Sequence, residues 1–359
     1  MRAAIAMSGG VDSSVAALLL QRAGWDCTGV TMRLLRGSEL ALPSHKSCCT
    51  PEDAEDAAYI CYQLGIPHEL LDLSGLFQTA VIQPFADEYA RGRTPNPCIE
   101  CNRRLKFDAL LDWALREGYD ALATGHYVRV TRSASGRWQL LKALDESKDQ
   151  SYVLAMLTQR QLSRLCFPLG ELRKSEARLL AEESGLVTAR KRDSQDICFI
   201  PDGDYAAFLE RWRGETFPPG DLLDAEGRLL GRHRGAIRYT LGQRRGLGLA
   251  AGERVYVTGK DMAKNTVTLG PESALYSRTL LASRFNWLSI PEPGRPLRVT
   301  ACTRCHQRER AATVTPLSGS RIRLVFDEPQ RAVTPGQSVA LYDGELLLGG
   351  GTIESTETQ

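Results

Sequence analysis

The sequence of 359 residues has no long hydrophobic run and almost no net charge. No apolar segment approaches the roughly 18 residues that a membrane-spanning helix needs, which excludes a protein built from such helices. The N-terminal stretch MRAAIAMSGG has one arginine before a very short apolar run, which is typical of neither a signal peptide nor a transit peptide. We therefore expect a cytoplasmic protein. Fixed-period repeats and low-complexity tracts are missing as well, and 43% hydrophobic content in a chain of this length predicts two or three cores.

The net charge of +2 says little about partners, but the charge is unevenly distributed. The chain is acid-rich before residue 90, whereas the stretch from Leu281 to Val325 has eight arginines against only Glu292 and Glu309. Such an excess is typical either of a phosphate-binding surface or of a solvated arginine face. The eight residues are Arg284, Arg295, Arg298, Arg304, Arg308, Arg310, Arg321 and Arg323.

Ten cysteines in a cytoplasmic chain should mostly be reduced. Those with informative spacing are then candidates for metal binding or catalysis. Cys27, Cys61 and Cys166 lie among apolar neighbours. We expect these three in the core, because a reduced cysteine packs as a small hydrophobe.

Strand and helix patterns alternate through residues 1–200, which predicts an α/β domain with a doubly wound parallel sheet. Short strands broken by Gly, Pro and Asn predict a small central β-rich domain over 201–276. The same pattern at barrel-like spacing predicts a C-terminal β-barrel over 277–359. Helices are predicted at Val11 to Arg22, Glu52 to Leu64, Leu76 to Tyr89, Phe107 to Arg116, Gln159 to Arg164 and Lys174 to Ser184, with a hairpin around Ser133 to Gly136.

The segment from Ser8 to Ser14 follows the first predicted strand and opens the first helix. Its glycines let the backbone approach an anion, and the helix N-terminus directs N–H groups at it, so the segment predicts a phosphate-binding loop. The patterns GxxxxGK[ST] and GxGxxG are absent. SGGxDS is instead the signature of the pyrophosphate loop, in which ATP is split to leave AMP on an acceptor oxygen. The incoming nucleophile could be ammonia, an amino acid or sulfur.

The stretch TPNPCIECN places Cys98 and Cys101 three apart in a run that two prolines should keep out of a helix. The pair could be half of a zinc site, a redox pair or a group that acts on substrate. Cys198 lies in DSQDICFI at the end of the nucleotide domain. Because a thiolate is the natural carrier of transferable sulfur, these cysteines favour sulfur as the nucleophile.

At this point the sequence resembles the bacterial-type tRNA-specific 2-thiouridylases, nearly from end to end. The resemblance implies that ATP adenylates the C2 oxygen of the wobble uridine of tRNA and that sulfur replaces this oxygen. It implies Cys101 as nucleophile and Cys198 as the persulfide carrier. The matching blocks are AMSGGVDSSV, GRTPNPCIECNRRLKF, LATGHYVR, KDQSYVL, FPLGEL, DSQDICFI, YTLGQRRGLGL and VFDEPQRAVTPGQSVALYDGELLLGGG.

The resemblance also implies ligands and partners. ATP with Mg²⁺, tRNA held by its anticodon loop, and a sulfur-relay or cysteine desulfurase protein as sulfur donor are expected, with the enzyme itself a monomer. Positive charge from Arg103, Arg104 and Lys106 would favour a thiolate at the cysteine segment. The implied ATP-binding residues are Ala6, Met7, Ser8, Gly9, Gly10, Val11, Asp12, Ser13, Met32 and Gly125.

Residues implied to contact tRNA come from several segments. A lone histidine such as His126 is ordinarily structural, and Lys148, Asp149 and Gln150 also fit a polar cap before the next apolar run. A flipped wobble base in a single-stranded loop is the expected target. The implied contacts are Asn96, Pro97, Cys98, His126, Lys148, Asp149, Gln150, Arg304, Cys305 and Gln337.

The chain departs from the family pattern at Cys98, where a family member has an aspartate. Cys98, Cys101 and Cys198 together could instead hold an iron–sulfur cluster with one open iron. The pair Cys302 and Cys305, followed by His306, matches a haem-attachment pattern and half a zinc site. No export signal supports haem, and zinc would need distant ligands such as Cys48 and Cys49, so we interpret this pair as incidental.

Two other functions remain open from the residues alone. One is a different adenylating synthetase, such as an amide-forming one, which would not need Cys101 or Cys198. The other is an RNA-binding iron–sulfur or zinc module without turnover, suggested by the cysteine sets and the arginine excess.

Overall fold

The computed structural model describes residues 1–35, 51–191, 193, 197–249, 254–305 and 307–357. Three sheets organise them: five parallel strands, four mixed strands and eight strands paired antiparallel. The described strands are β1 (Arg2–Ala6), β2 (Asp26–Arg33), β3 (His68–Asp72), β4 (Ala121–Ala123), β5 (Val128–Arg132), β6 (Trp138–Lys142), β7 (Leu165–Cys166), β8 (Gly220–Leu223), β9 (Leu229–His233), β10 (Tyr256–Asp261), β11 (Thr266–Gly270), β12 (Tyr276–Trp287), β13 (Leu297–Cys302), β14 (Arg310–Leu317), β15 (Arg321–Arg331), β16 (Ser338–Asp343) and β17 (Leu346–Glu357).

Most helices belong to the N-terminal domain, and two of them continue through π-helical stretches at Gln78–Ile82 and Cys101–Leu110. Short 3-10 helices lie at Glu146–Lys148 and Ser151–Leu154. The described α-helices are α1 (Val11–Arg22), α2 (Pro51–Leu64), α3 (Ser74–Phe77), α4 (Gln83–Ala90), α5 (Pro97–Glu100), α6 (Leu111–Arg116), α7 (Gln159–Leu162), α8 (Lys174–Glu183) and α9 (Tyr205–Arg213).

The N-terminal sheet has the strand order β3-β2-β1-β4-β7, and every pairing in it is parallel. Alternate residues of β1 face opposite cores: Ala4 packs with Val30 on one face, while Ala3 and Ile5 pack on the other. A parallel sheet covered on both faces is the predicted doubly wound architecture. Strand order reverses between β1 and β4, and ligands bind at such a point, outside the carboxyl ends of the strands.

The prediction that prolines keep Cys98 and Cys101 out of a helix is wrong. The Asn96 side chain accepts a 3.1 Å hydrogen bond from the N–H of Cys98 and caps α5. Pro97 stands in the first helical turn, where a missing N–H is tolerated. From α5 the chain continues without a break through the π-helical stretch Cys101–Leu110 into α6. Both cysteines therefore lie on one helix, of which the predicted helix from Phe107 was only the second half.

The central domain forms the four-stranded sheet β10-β11-β8-β9. Its strands follow the predicted short runs, but helix α9 before them was not predicted. The Asp204 side chain accepts a 2.9 Å hydrogen bond from the N–H of Ala207, and Gly214 ends the helix with φ of 67°. These are ordinary start and stop signals, and they were readable in the sequence.

The C-terminal strands β12-β15-β14-β13-β16-β17 close into a six-stranded barrel, because β17 pairs back with β12. This is the predicted barrel. The predicted hairpin also forms, as β5 and β6, and it extends the barrel sheet: Leu140 and Leu141 of β6 pair with Leu347 and Leu346 of β17. The N-terminal and C-terminal domains therefore share a sheet.

Two of the three cysteines predicted for the core, Cys27 and Cys61, are buried, and Cys166 is half-buried. Burial raises the thiol pKa of all three, to about 11 for Cys61. Inert thiols of this kind are structural. As for membranes, no helix within the described ranges has both the length and the apolar character needed to cross one.

Candidate nucleotide and sulfur-transfer site

The phosphate loop connects β1 to α1 at the point where strand order reverses. Its turn is held internally: the Ser8 N–H donates to Ser13 Oγ at 3.2 Å, and Ser13 Oγ donates to the Gly10 carbonyl at 3.0 Å. Ser14 Oγ also donates to the Gly10 carbonyl, at 2.9 Å. These bonds fix the loop so that the first turn of α1 presents its N–H groups at the carboxyl end of β1, which is the geometry of an anion site.

Two glycines let other chain segments pack tightly against this loop. Gly9 has φ of 66°, and a Cβ there would lie 2.3 Å from the Asp53 carbonyl oxygen. A Cβ on Gly125 would lie 2.7 Å from the Asp12 carbonyl carbon and 2.8 Å from the Ser13 nitrogen. Gly125 had been expected to admit the nucleotide. It admits the phosphate loop itself, since the chain after β4 crosses directly over the start of α1.

Two lysines that the sequence analysis did not select lie beside the loop, the buried Lys174 and the half-buried Lys191. The Lys174 ammonium donates to both carboxylate oxygens of Asp12, at 2.6 and 2.8 Å, and the Tyr127 hydroxyl donates to Asp12 at 2.9 Å. Lys191 donates to the Gly9 carbonyl at 3.0 Å and to Asp53 at 2.6 Å. One signal was available in the sequence: Lys174 is the first residue of α8, an electrostatically unfavourable place for a cation unless an anion holds it.

Asp193 is the acidic counterpart of these cations. Its carboxylate contacts Lys148 at 2.8 Å, Lys174 at 2.9 Å and Arg178 at 2.6 Å. Burial by itself would raise the pKa of Asp193, but the hydrogen bonds from Lys148 and Lys174 lower it to about 2. The carboxylate is therefore ionised at neutral pH.

The remaining predicted ATP residues lie beside the loop. Ala6 ends β1, and the buried Met7 continues it by donating its N–H to the Val30 carbonyl at 2.9 Å. Met32 lies near the end of β2 and is mostly buried. Val11 is buried at the start of α1. The structure thus brings all the predicted ATP residues to the carboxyl ends of β1, β2 and β4.

The continuous helix from Pro97 to Arg116, here called the cysteine helix, carries two thiols that differ in burial. Cys98 is exposed, whereas Cys101 is half-buried at the start of the π-helical stretch. Cys198 is half-buried too, and both it and Cys101 pack against the core that contains Ile99 and Phe199. The segments that carry Cys101 and Cys198 are therefore anchored in one core, although they are almost a hundred residues apart.

A single carboxylate, Glu100, partly compensates the positive charge next to Cys101. Arg103 and Arg104 lie 3.7 and 4.0 Å from the carboxylate of Glu100, one helical turn away. Lys106 lies close enough to the ring of His126 to lower its pKa. Glu100 thus takes up part of the charge of the two arginines. That the three cations favour a thiolate at Cys101 stays a prediction.

The cysteines were also tested as metal ligands. Within the described part of the chain, no group of three or more His, Cys, Asp or Glu side chains is arranged to hold a metal ion. Mg²⁺ needs only one or two carboxylates together with substrate phosphates. Both carboxylate oxygens of Asp12 accept hydrogen bonds from Lys174, so Mg²⁺ would depend mainly on the phosphates.

Comparison with known proteins assigns the family. Residues 1–202 match the model described as tRNA methyl transferase HUP domain, 206–271 the tRNA methyl transferase PRC-barrel domain, and 277–353 the Aminomethyltransferase beta-barrel domain. The chain is 48% identical to the tRNA-specific 2-thiouridylase MnmA of Roseiflexus castenholzii, covering 97% of this chain and 98% of that one. The protein of the same name from Acidithiobacillus ferrooxidans is 48% identical over 99% of both chains, and that from Pelotomaculum thermopropionicum is 47% identical over 98% and 97%.

The chain belongs to the tRNA-specific 2-thiouridylase family. The domain models are described as methyl transferase domains, whereas the full-length relatives are named thiouridylases. We follow the relatives, because their likeness extends over almost the whole of both chains.

The residues that the thiouridylase resemblance assigns to tRNA differ in accessibility. Pro97 is buried, Asn96 caps the cysteine helix, and Cys98 is exposed on its first turn. His126 is 8% exposed, with Nδ1 2.7 Å from Thr124 Oγ1. Burial, and then the charge of Lys106, lower the pKa of His126 well below its usual value, so the ring is neutral at pH 7.

The turn Lys148–Gln150 is bonded within the protein. Asp149 accepts hydrogen bonds from the N–H of Ala143 at 3.0 Å and from the hydroxyl of Ser151 at 2.5 Å. Gln150 accepts from the N–H of Tyr127 at 2.9 Å. The side chain of Asp149 thus takes the capping role that the sequence also allowed, because it also accepts from the N–H of Ser151, whereas Gln150 bonds the segment after β4.

The barrel residues that this thiouridylase should use for tRNA also contact the protein itself. Arg304 donates to the Ala332 carbonyl at 2.7 Å, and Gln337 donates to the Thr94 carbonyl at 2.7 Å. Cys305 is exposed while Cys302 is buried, and burial raises the pKa of Cys302 to about 12. His306, Cys48 and Cys49, considered above as further ligands, lie outside the described residues.

The arginine excess of the barrel is smaller than the sequence count indicated. Arg298 makes a bidentate pair with Asp327, at 2.8 and 2.7 Å. Arg321 lies 2.8 Å from Glu354, and Arg323 lies 2.8 Å from Glu357. These three acids follow residue 325, so a count that stopped there missed them.

A cavity of about 570 Å³ opens between α4, the cysteine helix and the barrel. None of its wall residues belongs to the phosphate loop, so the cavity is separate from the nucleotide site. Its walls include Glu88, Asn96, Pro97, Arg104, Arg284 and Gly336.

Proposed function

We propose that this protein performs ATP-dependent 2-thiolation of the wobble uridine of tRNA. As a member of the thiouridylase family it is a tRNA sulfurtransferase. The observation that carries the detailed proposal is the pairing of a phosphate loop at the strand-order reversal with a half-buried cysteine on a capped helix in the same domain. In this proposal residues 1–200 bind ATP and catalyse, 201–276 form the central domain, and 277–359 contact tRNA.

In the first step the C2 oxygen of the uridine attacks the α-phosphorus of ATP, and pyrophosphate leaves. The loop N–H groups, the hydroxyl of Ser8 and the cations next to Asp12 are placed to neutralise phosphate charge. Mg²⁺ held mainly by the phosphates would add further neutralisation. The product is a uridine that carries AMP on the oxygen to be replaced.

In the second step sulfur from a persulfide on Cys198 attacks C2, and AMP leaves. The Cys101 thiolate then attacks the Cys198 sulfur and breaks the S–S bond, which releases 2-thiouridine and leaves a disulfide between Cys101 and Cys198. An external thiol reductant supplies two electrons to restore both thiols. The anchoring of both cysteine segments in one core supports this pairing. A sulfur-relay or cysteine desulfurase protein would reload Cys198.

An iron–sulfur cluster on Cys98, Cys101 and Cys198 is the alternative route for sulfur. The relay is favoured because the described residues do not form a ligand set for a metal. The two routes differ in their need for Cys98: a cluster requires it as a ligand, whereas the relay does not.

The experiment is a set of single substitutions assayed with ATP, tRNA and a persulfide donor. Cys101→Ser and Cys198→Ser should abolish 2-thiouridine formation while ATP binding is retained. Cys98→Ser should retain thiolation, and the protein purified without oxygen should lack stoichiometric iron and acid-labile sulfide. Loss of thiolation in Cys98→Ser together with bound iron would overturn the relay. Full thiolation by Cys101→Ser would overturn both routes, whereas AMP formation by the parent protein without any 2-thiouridine would indicate another adenylating synthetase.

A further inference from the structure

Two lysines near the phosphate loop form ion pairs with a carboxylate of the protein itself. Lys148 and Lys174 both contact Asp193, at 2.8 and 2.9 Å, and Lys174 also contacts Asp12 of the loop. Lys174 is 8% exposed. A buried ammonium of this kind requires an anion, because an uncompensated buried charge is strongly destabilising.

The hydrogen-bond donors of the Lys174 ammonium show which of its two carboxylate contacts another anion could replace. An ammonium has three N–H donors. Two of these donors bond the two carboxylate oxygens of Asp12, and the third contacts Asp193. Asp12 belongs to α1 and has a second donor in the Tyr127 hydroxyl. The Asp12 contact is therefore part of the loop, whereas the Asp193 contact joins the loop to a separate segment.

Asp193 has a further partner that does not depend on the lysines. Arg178 contacts the Asp193 carboxylate at 2.6 Å and donates to the carbonyls of Ala189 and Lys191 at 3.0 and 3.1 Å. A carboxylate that gave up Lys148 and Lys174 would still have a charged partner. This lowers the cost of exchanging it for another anion.

We infer that Lys148 and Lys174 bind the phosphates of ATP and that Asp193 is an internal counter-anion which ATP displaces. This rests on the proposed function, since it concerns the same ATP site. The anion that replaces Asp193 must reach two ammonium groups beside a loop whose N–H groups already favour negative charge, and a polyphosphate has the required charge and size. The lysines would then neutralise the charge that develops on the departing pyrophosphate.

An internal anion competes with the ligand at high effective concentration. Asp193 should therefore weaken ATP binding in the resting enzyme. Removing its charge should strengthen binding, whereas a purely structural ion pair would show no change or a loss of binding. The sign of this effect separates the two roles.

The test is calorimetric titration of the full-length protein with a non-hydrolysable ATP analogue and, separately, with adenosine. Asp193→Asn should lower the Kd for the analogue by about tenfold, equivalent to about 1.4 kcal/mol, and leave the Kd for adenosine as in the parent. Lys174→Gln and Lys148→Gln should raise the Kd for the analogue, again without changing adenosine binding. Asp327→Asn, which breaks a barrel ion pair, is the matched control and should change neither value.

Unchanged or weaker binding of the analogue by Asp193→Asn overturns the inference, as does an equal change in adenosine affinity. If Asp193→Asn does not fold, the two lysine substitutions decide alone, and normal analogue binding by both overturns it. The proposed function fails separately: it fails if the parent binds no ATP analogue or releases no AMP when given ATP, tRNA and a persulfide donor.

Discussion

The side-chain amide of Gln337 donates a 2.7 Å hydrogen bond to the main-chain carbonyl of Thr94. In return, the Thr94 N–H donates to the Pro335 carbonyl at 3.1 Å. Thr94 precedes Asn96, the cap of the helix that carries Cys98 and Cys101. The barrel therefore holds the start of the cysteine helix, and a tRNA contact at Gln337 would act directly on that helix.

Gly336→Ala should slow thiolation. Gly336 has φ of 92°, and a Cβ there would lie 2.9 Å from Arg93 Cβ and 3.0 Å from the Thr94 nitrogen. The segment before the cysteine helix must then shift, and a misplacement of about 1 Å can slow catalysis on the order of a hundredfold. Single-turnover formation of 2-thiouridine measures the rate, and ATP affinity should be unchanged.

Gly344→Ala is the matched control. Gly344 has φ of 57° in the same barrel, but a Cβ there would meet nothing within 4 Å. It shares the cost of the left-handed conformation, about 1 kcal/mol, without the collision. Equal losses of thiolation in the two variants would show that the barrel loop does not position the helix.

Gly125→Ala should weaken ATP binding and not sulfur transfer alone. A Cβ at this position would lie 2.7 to 2.8 Å from main-chain atoms of Asp12 and Ser13, so the phosphate loop must move. We expect the Kd for ATP to rise by about tenfold or more. Calorimetry measures it, with Gly294→Ala as control because a Cβ on Gly294 has open space. Normal ATP affinity in Gly125→Ala would contradict the assignment of the loop.

Lys260→Met should stabilise the protein at neutral pH. Lys260 lies at the contact with Gly92, its ammonium is buried without a hydrogen-bond partner, and burial lowers its pKa to about 8. Below pH 8 the native state must hold the buried charge, which costs about 3 kcal/mol. Between pH 8 and about 10.5 the native state loses this proton while the unfolded chain keeps it, so the stability of the parent rises with pH.

The stability gain of Lys260→Met over the parent should therefore be largest at pH 7 and shrink as the pH rises towards 10. Chemical denaturation at several pH values measures it. Lys264→Met is the control in the same hairpin, since its side chain is 79% exposed and its loss should matter little. A gain that does not change with pH would mean that packing, and not the buried charge, is responsible.

Asp149→Ala should destabilise the fold, because the N–H groups of Ala143 and Ser151 would lose their acceptor. We expect a loss of about 2 to 3 kcal/mol. Thermal denaturation measures it, with Asp202→Ala as control, since Asp202 accepts one bond in an exposed turn. Full stability with weakened tRNA binding would instead make Asp149 a direct tRNA contact.

Local sequence patterns predicted most of the helices and strands. The features that they did not predict depend mainly on pairings between distant segments. The helix at Val11–Arg22 and the strands of the barrel follow from spacing and turn residues. The pairing of β6 with β17 joins segments roughly 200 residues apart, and no local signal marks such a partner. The cysteine segment failed differently: its prolines were interpreted as helix breakers, although Pro97 after the cap Asn96 is a helix start.

The candidate site likewise has a part that the sequence predicted and a part that it did not. The phosphate loop is contiguous in sequence and was predicted as a unit, whereas Lys174, Lys191 and Asp193 reach it from later segments. Lys174 carries a weak signal, a cation at a helix start. Lys191 and Asp193 lie outside the helices, and only tertiary structure could select them.

The pairing of β6 with β17 also fixes the order in which a newly made chain can finish folding. β6 leaves the ribosome roughly 200 residues ahead of β17, which is about 10 to 40 s at common elongation rates. Throughout that interval the outer edge of the hairpin has unpaired backbone groups, a template for pairing with a neighbouring nascent chain. Translation speed after the first domain should therefore influence how much protein reaches the native state.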